Sequence, residues 1–237
     1  DLKKKNWFNI GGKSKVFYKT QNLKELVKVL KKLRNNEKIF ILGAGSNTLI
    51  SDNLFDGVVI KLDKNFNNIS LFDDDTIIAG SAVLDKSLSD FALKNNLRGF
   101  EFLGCIPGTV GGGIRMNAGC FNKEFKDILL SVQAIDKSGN IITIPSKDIK
   151  FEYRRSNLPD DLIFLSASFK GVKGDHIEIK KEMDRLKIEK EKNQPSKIKT
   201  GGSTFKNPVS QSKKKAWELI KESVPLDKNF GDARISE

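Results

Sequence analysis

Glycine is spread unevenly along this chain, and its clustering limits the architecture more than any other feature. Six of the 19 glycines, Gly104, Gly108, Gly111, Gly112, Gly113 and Gly119, fall in one window. Glycine lets a backbone turn sharply and brings its N–H groups close to a ligand. A second cluster, Gly43-Ala44-Gly45-Ser46-Asn47-Thr48, directly follows the apolar run Lys38–Leu42, which reads as a short buried strand. Consecutive N–H groups in such turns form a concave nest for phosphate, and a preceding strand fixes them in place. Ser46 and Asn47 add side-chain donors. Two such loops point to a pyrophosphate clamped from both sides, although either loop alone also reads as a tight turn. The common nucleotide motifs are excluded. Position 48 is Thr where G-x-G-x-x-G needs glycine, and position 7 is Trp where a P-loop ending at Gly12-Lys13-Ser14 needs glycine.

The rest of the chain reads as mixed α and β. Leu23, Leu26, Val27, Val29 and Leu30 recur at helical spacing between lysines, predicting an amphipathic helix over 22–33. Val58–Leu62, Thr76–Ala79, Leu129–Ile135, Ile141–Ile144 and Leu162–Phe169 read as strands, and 84–95 as a helix. A long charged helix is expected over 175–192, stopped by Pro195, with a short helix over 213–221. Strand-rich sequence gives way to charged helix near 172, which predicts domains 1–172 and 173–237. The N-terminus has no apolar segment of a signal peptide, and the chain stops at Ile235-Ser236-Glu237 like a truncated C-terminus.

Lys and Arg total 42 against 30 Asp and Glu, a net charge of +12. Such a balance suggests nucleic acid. Only seven of the cations are arginine, however, the residue favoured for reading bases and clamping phosphates. Lys, Asn, Ile and Phe share AT-rich codons, so a genome bias accounts for much of the excess. One histidine (His176) and two separated cysteines (Cys105, Cys120) exclude the usual zinc sites and disfavour a Ser-His-Asp hydrolase. No metal site is expected. Two thiols make no disulfide framework, which fits a reducing cytoplasm, and both cysteines read as small fillers. No apolar run approaches the ~18 residues of a membrane span.

Two downstream segments carry chemistry. Tyr153-Arg154-Arg155-Ser156 places a cation pair between strand-like segments, fit to stabilise an enolate or carboxylate, or simply solvated. Gly202-Ser203-Thr204 holds a hydroxyl in a glycine-flanked loop, able to deliver a proton or merely to make a turn.

These segments, in this order, resemble the UDP-N-acetylenolpyruvoylglucosamine reductase family. The matching stretches are Asn9–Gly12, Leu42–Asp52, Gly104–Gly112, Met116–Gly119, Tyr153–Ser156, Gly202–Pro208, Ala216-Trp217 and Ile235–Glu237. The resemblance implies an α+β fold: an FAD-binding domain of the vanillyl-alcohol-oxidase (PCMH) type, then an incomplete α+β substrate-binding domain. It implies non-covalent FAD, with the pyrophosphate at Gly43, Ala44, Gly45, Ser46, Asn47 and Thr48 and at Ile106, Pro107, Gly108, Thr109, Gly111 and Gly112. It implies NADPH as hydride donor and UDP-N-acetylglucosamine enolpyruvate as substrate, reduced to UDP-N-acetylmuramate for peptidoglycan. Arg154 is implied to stabilise the enolate and Ser203 to protonate C2, with Lys206 and Asn207 contacting the UDP part. A cytoplasmic monomer without nucleic-acid or membrane partners is expected.

Two departures from the family pattern matter. The family's catalytic glutamate lies beyond Glu237, so a protein ending there is expected to bind FAD and turn over poorly. No tyrosine follows Tyr153, which leaves the subtype without a Tyr-bearing loop. The alternatives are another FAD-dependent oxidoreductase of the same superfamily, acting on an alcohol or aldehyde, and a basic nucleic-acid-binding protein.

Overall fold

The first layer is built where the sequence alternates one amphipathic helix with apolar runs. Strands β1 (Ser14–Thr20), β2 (Ile39–Ile41) and β3 (Phe55–Leu62) form a parallel sheet in the order β1-β3-β2, with helix α1 (Leu23–Leu30) between the first two in sequence. Leu26, Val29 and Leu30 share one face of α1 and bury it with Val58, Ile60 and Leu62 of β3. At the start of α1 the Asn22 side chain accepts from Glu25 N at 2.9 Å, while the Glu25 carboxylate accepts from Gln21 N at 2.7 Å. A cap of this kind stabilises a helix by about 1 kcal/mol. The structure is a computed structural model, and it describes residues 1–34, 36–193, 202–203, 205–225 and 227–234.

A second layer follows. Its elements in chain order are β4 (Ile69–Leu71), β5 (Thr76–Gly80), α2 (Asp85–Lys94), β6 (Leu97–Arg98), α3 (Val110–Arg115), β7 (Gly119–Cys120), β8 (Lys123–Glu124), β9 (Leu129–Ile135), β10 (Ile141–Pro145), β11 (Phe151–Glu152), β12 (Arg155–Ser156), β13 (Ile163–Lys170), β14 (Val172–Lys173) and α4 (His176–Asn193). Five of the strands make an antiparallel sheet in the order β10-β9-β13-β5-β4. Central β13 serves both layers. Ile163 and Leu165 join the cluster under α1, while Phe164, Ala167 and Phe169 face the larger core. The register shift between Phe164 and Ser166 changes the alternation and makes this division possible.

The larger core is organised by aromatic edges. Phe125 packs edge-to-face with Phe102 and Phe169, at 6.4 and 6.0 Å between ring centres, and Phe100 packs with Phe169 at 6.4 Å. Helix α3 lies directly on this cluster. A Cβ at Gly113 would stand 2.2 Å from the Phe125 ring, so only glycine allows the approach. Helix α4 is charged along most of its length; it packs on the 3-10 segment Glu101–Cys105 and buries Ile179 and Leu186.

A second compact unit covers Gly201–Glu237, the first being Asp1–Thr200. It holds α5 (Ala216–Ser223), β15 (Asn229–Phe230) and β16 (Ala233–Arg234). Among the described residues no helix is long and apolar enough to cross a membrane.

The expected strands and helices appear within a few residues of their predicted bounds, with three differences. Contacts divide the chain at 200/201 rather than at 172, because α4 buries Ile179 and Leu186 on the first unit. The window read as a glycine loop contains α3, so Gly111 and Gly112 are helical; packing on Phe125 outweighs the poor helix propensity of three successive glycines. Strand β1 was not expected, since its alternation is masked by Lys15 and Lys19, which face solvent. Pro195 lies outside the described residues.

Replacing Gly113 by Ala is expected to destabilise the protein by about 1–3 kcal/mol through overpacking on Phe125. Urea unfolding checks it: an unchanged midpoint would mean that α3 does not rest on this ring.

Candidate functional site

The two glycine clusters meet. Ser46 Oγ donates a hydrogen bond to the Pro107 carbonyl, across 61 residues of chain. A Cβ at Gly43 would stand 2.6 Å from Thr109 Oγ1, so the loops approach as closely as glycine permits. The first loop leaves β2 after Leu42 N donates to Ile60 O at 2.9 Å, and is braced from the N-terminal segment by Trp7 N donating to Gly45 O at 3.0 Å. The second loop is set by α3, whose Val110 and Gly111 N–H groups donate to Val83 O and Ser81 O, both at 2.9 Å.

The N–H groups left over are those a phosphate needs. Ala44, Gly45, Ser46 and Asn47 in the first loop, and Thr109 and Gly112 in the second, donate no backbone hydrogen bond within the described residues. A backbone that leaves such donors unpaired is completed by water or by an anion. Gly112 is exposed, and Gly43, Ala44 and Thr48 are half-buried. The arrangement therefore fits the pyrophosphate of a dinucleotide. Among the described residues no group of three or more His, Cys, Asp or Glu could hold a metal ion.

Three side chains beneath the loops had no sequence signal strong enough to be singled out. Lys61, in an otherwise apolar stretch of β3, donates from Nζ to Gly43 O at 3.0 Å. Burial holds its pKa below the usual lysine value, and Lys5 and Lys19 add to this by repulsion. Asp85 opens α2, is fully buried, and lies against Gly108 with no hydrogen-bond partner for either carboxyl oxygen among the described residues. Desolvation pushes its pKa well above the usual 3.8. Burial thus biases Asp85 toward its neutral form. Ser81 Oγ, beside Gly111, is also buried without a partner.

Arg154 sits elsewhere in the first unit, at the two-residue turn of the β11–β12 hairpin. Its φ of 59° is left-handed, a conformation costing a non-glycine residue about 1 kcal/mol. Its Nη2 donates to Gly119 O at 2.7 Å, its Nη1 is 3.6 Å from Glu124 Oε1, and its guanidinium lies 4.8 Å from the Tyr153 ring centre. Buried Asn117 fixes this assembly: its Nδ2 donates to Glu124 Oε2 at 2.9 Å and to Glu152 O at 3.1 Å, and its Oδ1 accepts from Lys126 N at 3.2 Å. Beside the hairpin is a groove of about 450 Å³ lined in part by Arg115, Arg154 and Arg155. Arg115 is committed to structure, donating to the carbonyls of Leu158, Pro159 and Leu162. Arg155 is exposed, as a solvated residue would be.

Ser203, Lys206 and Asn207 belong to the second unit. Ser203 and Lys206 are exposed. Asn207 Oδ1 accepts from Ala216 N at 3.0 Å and so holds the start of α5, a role the sequence did not suggest. Thr204 and Ile235–Glu237 of the resemblance lie outside the described residues. Cys105 is buried, and Cys120 Sγ donates to Phe102 O at 3.4 Å.

Residues 14–145 match the FAD binding domain family. The chain is 65% identical, over 236 residues, to the UDP-N-acetylenolpyruvoylglucosamine reductase of Pelagibacter ubique (strain HTCC1062), covering all of this chain and 78% of that one. It is 45% identical to the enzyme of the same name from Rickettsia typhi (strain ATCC VR-144 / Wilmington), covering 79% of its length. The crystal structure of UDP-N-acetylenolpyruvylglucosamine reductase from Thermus caldophilus superimposes with a TM-score of 0.79 at 29% identity, over 93% of this chain and 77% of that one. A carbon monoxide dehydrogenase from Hydrogenophaga pseudoflava shares the fold alone, at a TM-score of 0.50 and 11% identity over 69% of this chain and 61% of that one.

The Asp85 carboxyl stays protonated in the fold to higher pH than in the unfolded chain. Native protein then binds the extra proton, so stability falls as pH rises above 3.8 until the native acid ionises. Asp85→Asn removes this slope. Urea midpoints taken between about pH 5 and 8 are expected to fall less in the variant. Parallel curves would mean that the carboxyl is not desolvated.

Proposed function

We infer, from the premise that the chain belongs to the UDP-N-acetylenolpyruvoylglucosamine reductase family, that its two apposed glycine loops hold the FAD pyrophosphate. The protein is an NADPH-dependent flavoenzyme that reduces UDP-N-acetylglucosamine enolpyruvate to UDP-N-acetylmuramate for peptidoglycan. The observation that carries the site assignment is the seam where Ser46 meets Pro107 and Gly43 meets Thr109, with unpaired N–H groups on both sides.

FAD, when bound, supplies the carrier that relays hydride from NADPH to the enolpyruvyl group. Ala44 to Asn47 and the α3 start at Thr109 and Gly112 would hold its phosphates through N–H groups. Lys61 adds a cation behind the first loop, and burial biases Asp85, behind the second, away from its charged form. Conjugate hydride addition builds negative charge beside a carboxylate. We assign Arg154 to that charge, because Gly119 O, Glu124 and Tyr153 fix its direction in advance and a preset cation is worth most where charge develops. Ser203 is assigned to protonate C2, and Lys206 and Asn207 to the UDP part, with Asn207 also capping α5. FAD binding is assigned to 1–172 and substrate contact to 173–237, although α4 is part of the first compact unit. We read the protein further as a cytoplasmic monomer without nucleic-acid or membrane partners, which light scattering tests against 26.5 kDa.

The purified protein is expected to be yellow and to release FAD on denaturation. Gly43→Val is expected to abolish binding, since its side chain would meet Thr109. A colourless wild type that takes up no FAD would overturn the assignment. In the loaded protein, Arg154→Lys and Ser203→Ala should leave flavin reduction by NADPH near wild type. Flavin reoxidation by the enolpyruvyl sugar should slow by about 10²-fold or more. Stopped-flow absorbance reads both half-reactions, and loss of the first alone would move these residues out of their assigned roles.

A further inference from the structure

Gly119 and Glu124 face each other across the β7–β8 hairpin, and both turn toward Arg154. The Gly119 carbonyl accepts from Nη2 at 2.7 Å. The Glu124 carboxylate stands further off: its Oε1 is 3.6 Å from Nη1, an ion pair longer than a hydrogen bond. The other oxygen is tightly engaged. Oε2 accepts from Asn117 Nδ2 at 2.9 Å and pairs with Lys126 Nζ at 2.9 Å. Lys126 lies in the 3-10 segment Phe125–Asp127, and its backbone N–H is tied to Asn117 Oδ1. One carboxylate thus stands between two cations. It is drawn closer to Lys126, while Arg154, the other cation, lines the groove.

We propose that Lys126 is a positioning residue for reduction of the sugar: it holds the Glu124 carboxylate to itself and so keeps the charge of Arg154 available to the substrate carboxylate. The proposal rests on the assignment of Arg154 to the enolpyruvyl group.

The reasoning is electrostatic. Arg154 needs an acceptor at its side to fix its direction, but a carboxylate placed there competes with the anionic substrate for the same guanidinium. Arg154, Glu124 and Lys126 together carry one net positive charge. Without Lys126 the remaining pair is neutral, and Glu124 has no second cation to hold it back. The pairing is mutual, since the Glu124 carboxylate raises the Lys126 pKa and keeps the ammonium charged. When substrate arrives, Nη2 stays on Gly119 O while Nη1 exchanges its long contact with Glu124 for the substrate carboxylate. The guanidinium pivots on one bond and is not released. A cation held in this way meets the charge that develops during hydride addition without first breaking a strong pair.

The test uses the FAD-loaded protein and the enolpyruvyl sugar. Two quantities are read: the dissociation constant of the sugar for the oxidised protein, from the perturbation of the flavin spectrum, and the rate of flavin reoxidation by the sugar. Lys126→Met is expected to weaken the first and slow the second by roughly tenfold, the size of coupling usual between neighbouring charges. Its urea midpoint should stay near wild type, because a half-exposed pair adds little stability. Lys126→Arg should behave as wild type. Adding Glu124→Gln to Lys126→Met removes the competing carboxylate and should recover most of the loss, to within about threefold of wild type. A double variant no better than Lys126→Met would overturn the proposal, since Lys126 would then attract the sugar directly. So would Lys126→Met with both quantities unchanged while Arg154→Lys still slows reoxidation, a result that leaves the flavoenzyme reading intact. Reoxidation that Arg154→Lys does not slow would instead remove the assignment of Arg154, and this proposal with it.

Discussion

The approach of Gly113 to the Phe125 ring governs more of this molecule than any other contact. Helix α3 is one and a half turns long and could not stand alone in water. Pressed onto an aromatic cluster, it has a fixed position and axis. Its N-terminal end then sets Pro107 and Thr109 against the first glycine loop. Its C-terminal end delivers Asn117, and through Asn117 the Glu124 carboxylate and the Arg154 hairpin. The second glycine loop and the Arg154 hairpin thus stand at two ends of one short helix, both registered to the same phenylalanine.

Charge in the first unit is arranged around that geometry rather than spread uniformly. A net charge of +12 raises the general attraction for anions, but the local terms are more specific. Lys61 presents a partly desolvated ammonium to the back of one loop. Asp85 sits behind the other loop, where burial holds its pKa well above the usual 3.8. The surface lysines pair with nearby carboxylates at modest exposed bridges, such as Lys15–Asp56 and Lys86–Asp90, which contribute little to stability.

Much of this was legible in the sequence where the signal is local. The Lys38–Leu42 run before Gly43, the helical spacing of Leu23–Leu30 and the 129–135, 141–144 and 162–169 strands all fold as their patterns dictate. So do the paired arginines, Arg154 in a hairpin turn and Arg155 opening the strand after it. What could not be read depends on distant partners. Nothing in Val110–Arg115 announces a helix, because its stability comes from Phe125 and from carbonyls at Ser81 and Val83. Asn117 looks like a turn residue until it is seen bonded to Glu124 and Glu152. Lys61 and Asp85 gain meaning only from loops 18 and 23 residues away in sequence.

The central sheet also fixes an order of events in folding. Strand β5 finishes at Gly80, but its partner β13 begins at Ile163, and the register pairs Gly80 with Ser166. Neither core can close until β13 arrives, because Ile163 and Leu165 complete one and Phe164, Ala167 and Phe169 the other. Closing so long a loop is entropically costly and slow. On the ribosome the parallel layer would emerge first and wait, its α1 face half covered, until residue 170 had cleared the tunnel. The strand that joins the two layers is therefore also the timer for their assembly.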